Sequence, residues 1–164
     1  MQIVDARIPR CWEQLKTVSD PEIPVLSVID LGMIRGVNVA ADNALEVRLT
    51  PTYSGCPATD ELSADILAAL TQAGLQPARV RVDLSEAWTT DWMSADGKRK
   101  LREYGIAPPQ GPACGQHLVP DDGVPCPQCN SQHTRLVSEF GSTACKAQYQ
   151  CRDCLEPFDY FKCI

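Results

Sequence analysis

Two Cys-x-x-Cys pairs near the carboxyl end are the clearest chemical pattern in this 164-residue sequence. Cys126 pairs with Cys129 and Cys151 with Cys154, and 21 residues, 130 to 150, lie between the pairs. Each pair can hold one edge of a metal ion in a tight turn, and the segment between them is long enough for a β-hairpin that brings the pairs together. Four thiolates within tetrahedral reach are typical of a structural zinc site, whose metal contributes directly to folding.

Two other interpretations account for the same four cysteines. Four thiolates also ligate an iron-sulfur cluster, and two disulfides would form in an oxidising compartment. Cys145 and Cys163 are interpreted as small buried residues on the hairpin strands, with a surplus thiol beside the metal as the alternative. Cys114 and His117 are interpreted as loop residues rather than additional ligands, and His133 as a polar surface residue.

Cys56 is a second chemical candidate. Gly55 precedes it, Pro57 follows it, and an apolar helical pattern begins immediately afterwards. Proline favours the first helical position, so Cys56 is expected at or near a helix cap. There, free backbone N–H groups and the positive end of the macrodipole favour a nucleophilic, metal-binding thiolate. An inert, packed cysteine in a turn is the alternative.

Three acidic residues crowd a proline-rich loop that precedes Cys56, and each could act as a hard metal ligand or a proton acceptor. The loop contains Asp20, Glu22 and Asp30. Asp20 and Glu22 are interpreted as turn residues, because a carboxylate before Pro21 commonly caps a turn. Asp30, which lies between an apolar run and Leu31, is the functional candidate.

Composition excludes several classes of function. Lysine and arginine total 15 against 21 aspartates and glutamates, a net charge of −6 that argues against a general binder of nucleic-acid backbone. No run approaches the ~20 apolar residues that cross a bilayer, and the amino terminus lacks a signal-peptide pattern. We therefore expect a cytoplasmic protein with neither nucleic acid nor membrane as partner. In that reducing compartment, clustered cysteines point to metal before disulfides.

Periodicity predicts the elements that must position these residues. Apolar spacing predicts helices, and alternation on either side of an Asp-Asn turn predicts a β-hairpin. The predicted elements are a helix over 8–18, a hairpin over 37–49, a helix over 57–73, a strand from Val80 and a short helix over 98–104.

The predicted fold class is α+β: a small three-stranded mixed sheet with packed helices, followed by a metal-stapled zinc-ribbon β-hairpin. Six prolines and three glycines between Ile106 and Pro127 indicate a linker. The predicted division is a domain at 1–105, a linker at 106–124 and a four-cysteine ribbon at 125–164. A segment of about 40 residues rarely supports a core without a metal or disulfide, so the cysteines are expected to stabilise this one.

Longer motifs resemble known families. DPEIPVLSVIDLG at 20–32, followed by TYSGCP at 52–57, resembles the metal-sulfur cluster assembly factor family, which includes SufT-like bacterial proteins and cytosolic iron-sulfur targeting factors of eukaryotes. A closer resemblance is to the PaaD (PaaJ) family of the phenylacetyl-CoA epoxidase system. It rests on TPTYSGCPATD, AWTTDWM, LREYGI, SEFGSTACKA and EPFDYFKC, which together extend over nearly the whole chain.

This resemblance implies an accessory or maturation component of the phenylacetyl-CoA epoxidase (ring-1,2-monooxygenase) system in aerobic phenylacetate catabolism. Such a component, with no activity expected alone, would assist insertion of an iron-sulfur cluster or iron into the reductase or oxygenase. Those two proteins are the expected partners, and a second copy of the chain is another candidate.

The same resemblance assigns roles to residues. Cys56 corresponds to the family's reactive cysteine, a transient ligand of iron or cluster, and Asp30 to the aspartate of its Asp-Leu-Gly element. The four clustered cysteines correspond to the appended zinc ribbon. The alternative is a resident structural or electron-transfer component with an iron-sulfur cluster on those four cysteines. A thiol enzyme acting through Cys56 is a third hypothesis, disfavoured because neither histidine lies nearby in sequence.

Overall fold

The structure is a computed structural model that describes residues 5–112 and 119–164. The chain forms two compact units, Met1–Trp88 and Thr89–Ile164, each with its own sheet. Helices and mixed sheets occur together, so the predicted α+β class is confirmed.

The first unit contains the predicted three-stranded mixed sheet, and its strands lie in the order β1-β2-β3. Strands β1 and β2 are antiparallel, with Val37 opposite Val47, whereas β2 and β3 are parallel. In β2, buried residues alternate with half-buried ones, so one face of the sheet is apolar. The elements are α1 (Arg7–Leu15), β1 (Ile34–Val39), β2 (Leu45–Leu49), α2 (Ala58–Gln72) and β3 (Ala78–Val82).

Both helices of this unit pack against the sheet. Helix α2 buries Leu62, Ile66 and Leu70, which recur every four residues on one face, and it contacts α1 and β3. Helix α1 ends before the predicted Val18. The amide and the hydroxyl of Thr17 both donate to Gln14 O, at 3.0 and 2.7 Å, so the chain tightens into a turn there.

The proline-rich loop between α1 and β1 is held by hydrogen bonds rather than by regular structure. The Asp20 amide donates to Leu26 O at 2.8 Å, which closes the loop on itself. The indole Nε1 of Trp88 donates to Leu31 O, also at 2.8 Å, from a position that is only 3% exposed. Trp88 therefore fixes the segment that carries Asp30.

The second unit contains a four-stranded sheet in the order β4-β7-β6-β5. Its helix α3 begins at Ala95, three residues before the predicted start, because the Ser94 side chain caps it by accepting from the Gly97 amide at 2.8 Å. A short 3-10 turn at Thr90–Trp92 precedes the helix. The elements are α3 (Ala95–Tyr104), β4 (Ile106–Ala107), β5 (Thr134–Ser138), β6 (Lys146–Cys151) and β7 (Pro157–Phe161).

An aromatic core supports this second sheet. The Tyr149 ring stacks on Phe158 with a centroid distance of 5.8 Å and meets Tyr160 edge-on at 5.4 Å. Ala107, Val124, Cys126, Ala147 and Cys151 complete the buried cluster. The ribbon therefore has an apolar core of its own beside the cysteines.

The unit boundary differs from the sequence-based division at residue 105. Strand β4, in the segment interpreted as linker, pairs in parallel with β7, with Ile106 opposite Asp159. Helix α3 contacts β4, so both elements belong to the second unit. The hairpin expected from the cysteine spacing is the β5–β6 pair, and β4 and β7 extend it.

Trp88→Phe tests how the loop is held. Losing the indole N–H leaves the Leu31 carbonyl without this donor, so we expect the free energy of unfolding of the first unit to fall by about 1–3 kcal/mol. Urea denaturation measures the loss, and hydrogen exchange locates it at residues 26–33.

Trp12→Phe is the matched control, because this half-buried indole makes no hydrogen bond within the described part of the chain. Equal losses in the two variants would show that ring volume, rather than the hydrogen bond, stabilises the loop.

Candidate functional site

The four cysteines of the two Cys-x-x-Cys pairs meet in the second unit. Their four Sγ atoms all lie within 4.8 Å of one another. Cys126 Sγ is 3.7 Å from Cys154 Sγ, and Cys129 Sγ is 3.5 Å from Cys151 Sγ. The structure therefore brings together the residues that the spacing predicted as ligands.

These separations fit one tetrahedral metal ion. Metal–sulfur bonds of about 2.3 Å place the sulfurs of a tetrahedron about 3.8 Å apart. A disulfide would require about 2.0 Å, and all eight cysteines of the described residues are free thiols. A cluster of soft thiolate donors at this spacing is a metal-binding site.

Strand pairing and two similar turns position the four thiols. Antiparallel β5 and β6 place Thr134 opposite Cys151, which brings the second pair beside the end of the first. Asn130 and Leu155, which follow the two pairs, have positive φ angles of 63° and 67°. The left-handed backbone conformation of these two residues reverses the chain direction directly after each cysteine pair.

Backbone groups also act on the sulfurs. The Cys154 amide donates to Cys151 Sγ at 3.5 Å. This bond stabilises the negative sulfur and holds the pKa of the Cys151 thiol at about 6, below its usual range. Deprotonated sulfur is the form that binds metal.

The remaining cysteines of the ribbon lie apart from the four-thiol group. Cys145 is buried with its Sγ 3.0 Å from Thr143 Oγ1, and Cys163 is buried 3.4 Å from the Tyr160 hydroxyl. Both positions agree with the interpretation of small packed residues. Cys114 and His117 lie outside the described residues.

His133 has a defined partner, which the sequence did not reveal. Its Nδ1 lies 3.0 Å from Asp153 Oδ1, the carboxylate within the second Cys-x-x-Cys pair. Spacing gave no signal for this contact, because it depends on the pairing of β5 with β6.

Cys56 lies directly before Pro57, the residue that caps the amino terminus of α2. The thiol-bearing residue is 8% exposed. Its carbonyl accepts from the Thr59 amide at 3.1 Å and from the Thr59 hydroxyl at 2.8 Å, which ties the turn to the helix. Gly55, with φ of 80°, permits the turn that brings Cys56 there.

The two candidate aspartates both hold the loop between α1 and β1. Asp20 Oδ1 accepts from the amides of Glu22 and Ile23 at 2.8 Å each, the turn-capping role expected of it. Asp30, 7% exposed, accepts through Oδ2 from the amide and the hydroxyl of Ser27 at 3.0 Å each. Asp30 therefore also satisfies loop donors, besides being the functional candidate.

Cys11 is the other thiol of the first unit, and it faces the core. Burial raises its pKa to about 11, so the thiol is protonated at neutral pH. Cys11 is fully buried within the unit, whereas Cys56 lies at the amino end of α2, so Cys56 is the candidate of the two. Within the described residues, no helix is both long and apolar enough to cross a bilayer.

Comparison with known proteins matches each of the two units to a protein family. Residues 10–84 match the family described as iron-sulfur cluster assembly protein, and residues 110–162 match the PaaD zinc beta ribbon domain. The chain is 52% identical over 162 residues to a protein of Escherichia coli K12 that is named as a putative component of 1,2-phenylacetyl-CoA epoxidase, covering 99% of this chain and 96% of that protein. The chain belongs to the PaaD family.

The amino-terminal half has relatives of its own. It is 36% identical over 88 residues to an "Fe-S protein maturation auxiliary factor" of Porphyromonas gingivalis, covering 53% of this chain and 83% of that protein. A crystal structure of a DUF59 domain from Bacillus anthracis, 24% identical, superposes with a TM-score of 0.54 over 58% of this chain and 92% of that one. In this member of the PaaD family, the first unit therefore has the DUF59 fold.

Cys129→Ser tests the metal site. This cysteine is exposed, so its replacement opens no cavity, and three remaining thiols hold metal poorly. We expect the metal content per chain to fall to near zero, and the melting temperature of the second unit to fall with it because a closed metal site contributes folding energy. Elemental analysis and calorimetry measure the two effects.

Cys163→Ser is the matched control, since Cys163 lies outside the four-thiol group. Full metal content in Cys129→Ser would contradict the assignment of this cysteine as a ligand.

Proposed function

We propose that this chain is an accessory maturation factor of the phenylacetyl-CoA epoxidase system, which assists the insertion of iron or an iron-sulfur cluster into the reductase or oxygenase. The observation that carries the proposal is the union, in one chain, of an iron-sulfur cluster assembly unit with the PaaD ribbon. The Escherichia coli relative is named as part of the epoxidase, and relatives of the first unit are named as maturation factors.

In this proposal, iron or a cluster is cargo that Cys56 ligates transiently. The thiol lies in a glycine turn at the amino end of α2, where the positive end of the helix dipole favours a negative ligand. Asp30 supports the site by holding the loop between α1 and β1 through Ser27.

The four-cysteine site holds one structural zinc ion in this proposal. The residues fit a single ion because all Sγ atoms lie within 4.8 Å of one another. In an iron-sulfur cluster, thiolates ligate different irons, so their sulfurs spread further apart than around one ion. This spacing favours zinc over a resident electron-transfer cluster, and the ribbon then serves as a rigid surface for the client.

The metal content of anaerobically purified protein distinguishes the two functions. We expect one zinc per chain, no acid-labile sulfide and no visible colour, because a single d¹⁰ ion has no redox chemistry. Elemental analysis, sulfide assay and a visible spectrum measure this. Iron with matching sulfide and a broad visible band would instead make the chain a resident electron-transfer component.

Cys56→Ser tests the maturation role. The variant should fold normally, with an unchanged melting temperature, yet lower the iron-sulfur occupancy of a co-expressed epoxidase reductase or the iron occupancy of the oxygenase. Both occupancies are measured by iron and sulfide analysis of the purified client.

Cys11→Ala is the control, because it removes the other thiol of the first unit, which is buried in the core. Normal occupancy of both clients with Cys56→Ser would refute the proposed role of this thiol.

A further inference from the structure

A hydrogen-bonded network of three side chains joins the two cysteine turns, which we define as the first turn (126–131) and the second turn (151–155). The Ser131 hydroxyl donates to Asp153 Oδ2, and Asp153 Oδ1 lies 3.0 Å from His133 Nδ1. The His133 amide donates to Ser131 Oγ at 2.9 Å. We call Ser131, His133 and Asp153 the inter-turn network.

The network connects the segments that carry the two pairs of ligands. Ser131 follows Cys129 by two residues, and Asp153 lies between Cys151 and Cys154. A backbone bond from the Arg152 amide to His133 O, at 2.8 Å, runs beside it. The Asp153 carboxylate therefore accepts a hydrogen bond from Ser131 of the first turn, while Asp153 itself lies between the two ligands of the second turn.

The same three residue types serve as a catalytic triad elsewhere, but the connectivity here is different. A nucleophilic serine requires its hydroxyl proton to face the histidine, and the aspartate to orient the far side of that ring. Here the Ser131 hydroxyl donates to Asp153 rather than to the His133 ring. The carboxylate holds both side chains, so the arrangement positions the turns and activates no nucleophile.

We propose that Ser131, His133 and Asp153 are positioning residues of the metal centre, which hold the two cysteine turns at the separation that a single zinc ion requires. Groups around metal ligands commonly set affinity by fixing ligand geometry. Without the network, the pairing of β5 with β6 still keeps the two turns adjacent, but their separation is less closely fixed before the ion binds. Zinc affinity falls and zinc dissociation accelerates, because more conformational freedom is lost on binding.

This inference rests on the proposed zinc site, and the test is built to separate the two. The probe is Zn²⁺ itself, in competition with a chromophoric chelator, using the full-length chain. If the wild-type chain binds no zinc, the metal assignment fails. If it binds zinc and the network variants bind equally tightly, only the network proposal fails.

Asp153→Ala is the principal variant. We expect its zinc dissociation constant to rise about 10-fold relative to wild type, the lower end of the effect seen for groups that orient metal ligands. Asp153→Asn keeps the shape and one acceptor oxygen, so it should restore part of the affinity. Ser131→Ala and His133→Ala each remove one of the two contacts made by Asp153. These variants keep the test valid should Asp153→Ala fail to fold.

Glu103→Ala is the matched control. Glu103, 63% exposed, accepts from Arg99 at 2.6 Å in the same unit, much as Asp153, 55% exposed, contacts His133. Its loss should leave zinc affinity unchanged, because the pair lies within α3 and joins no cysteine turns.

A second readout separates positioning from general stabilisation. In the proposal, the rise in melting temperature on adding zinc is smaller in Asp153→Ala than in wild type, and Co²⁺-substituted protein shows a weakened tetrahedral thiolate spectrum. If Asp153→Ala lowers the melting temperatures of the zinc-loaded and chelated proteins equally, with an unchanged dissociation constant, the network only stabilises the fold and the proposal is overturned.

Discussion

The convergence of four thiols from two turns is the constraint on which the second unit depends. Cys126 and Cys151 are separated by a long hairpin, and the pairing of β5 with β6, which places Thr134 opposite Cys151, brings their sulfurs together. A shift of one residue would turn every side chain of β6 to the other face. The other edge of β6 pairs with β7, which places Tyr149 opposite Phe158 and near Tyr160. Metal site and aromatic core therefore share strand β6 but depend on its two different neighbours.

The two units are stabilised differently, and this matters for their roles. The first unit has a conventional core, in which Leu62, Ile66 and Leu70 of α2 pack beneath an apolar sheet face. The second combines a small core with a metal site, as expected of a short ribbon. Cys56 therefore lies in a unit that needs no metal for its own packing, which is compatible with the proposed role of its thiol as a transient ligand.

Hydrogen-bonded side chains position irregular segments in both units. In the first, Asp20, Asp30 and Trp88 bind the backbone of a loop that has no regular structure. In the second, Asp153 performs a similar task between the two cysteine turns. Such groups are costly to bury or order unless they are paired, and pairing them fixes one loop conformation among many. Irregular segments become as well defined as helices by this means.

Local pattern by itself determined most elements and the donor set of this protein, whereas tertiary structure decided the contacts between distant residues. The 3.6-residue periodicity of α2, the alternation in β2 and the two Cys-x-x-Cys spacings are properties of neighbouring residues, and each led to the observed element or ligand group. Long runs such as TPTYSGCPATD identified the family. The boundary between the units differs from the sequence-based one because β4 pairs with β7. The sequence could not predict this pairing, since a two-residue strand has no periodicity to detect. The bonds from Trp88 to Leu31 and from His133 to Asp153 follow from how sheets and turns pack, which leaves no mark in local spacing.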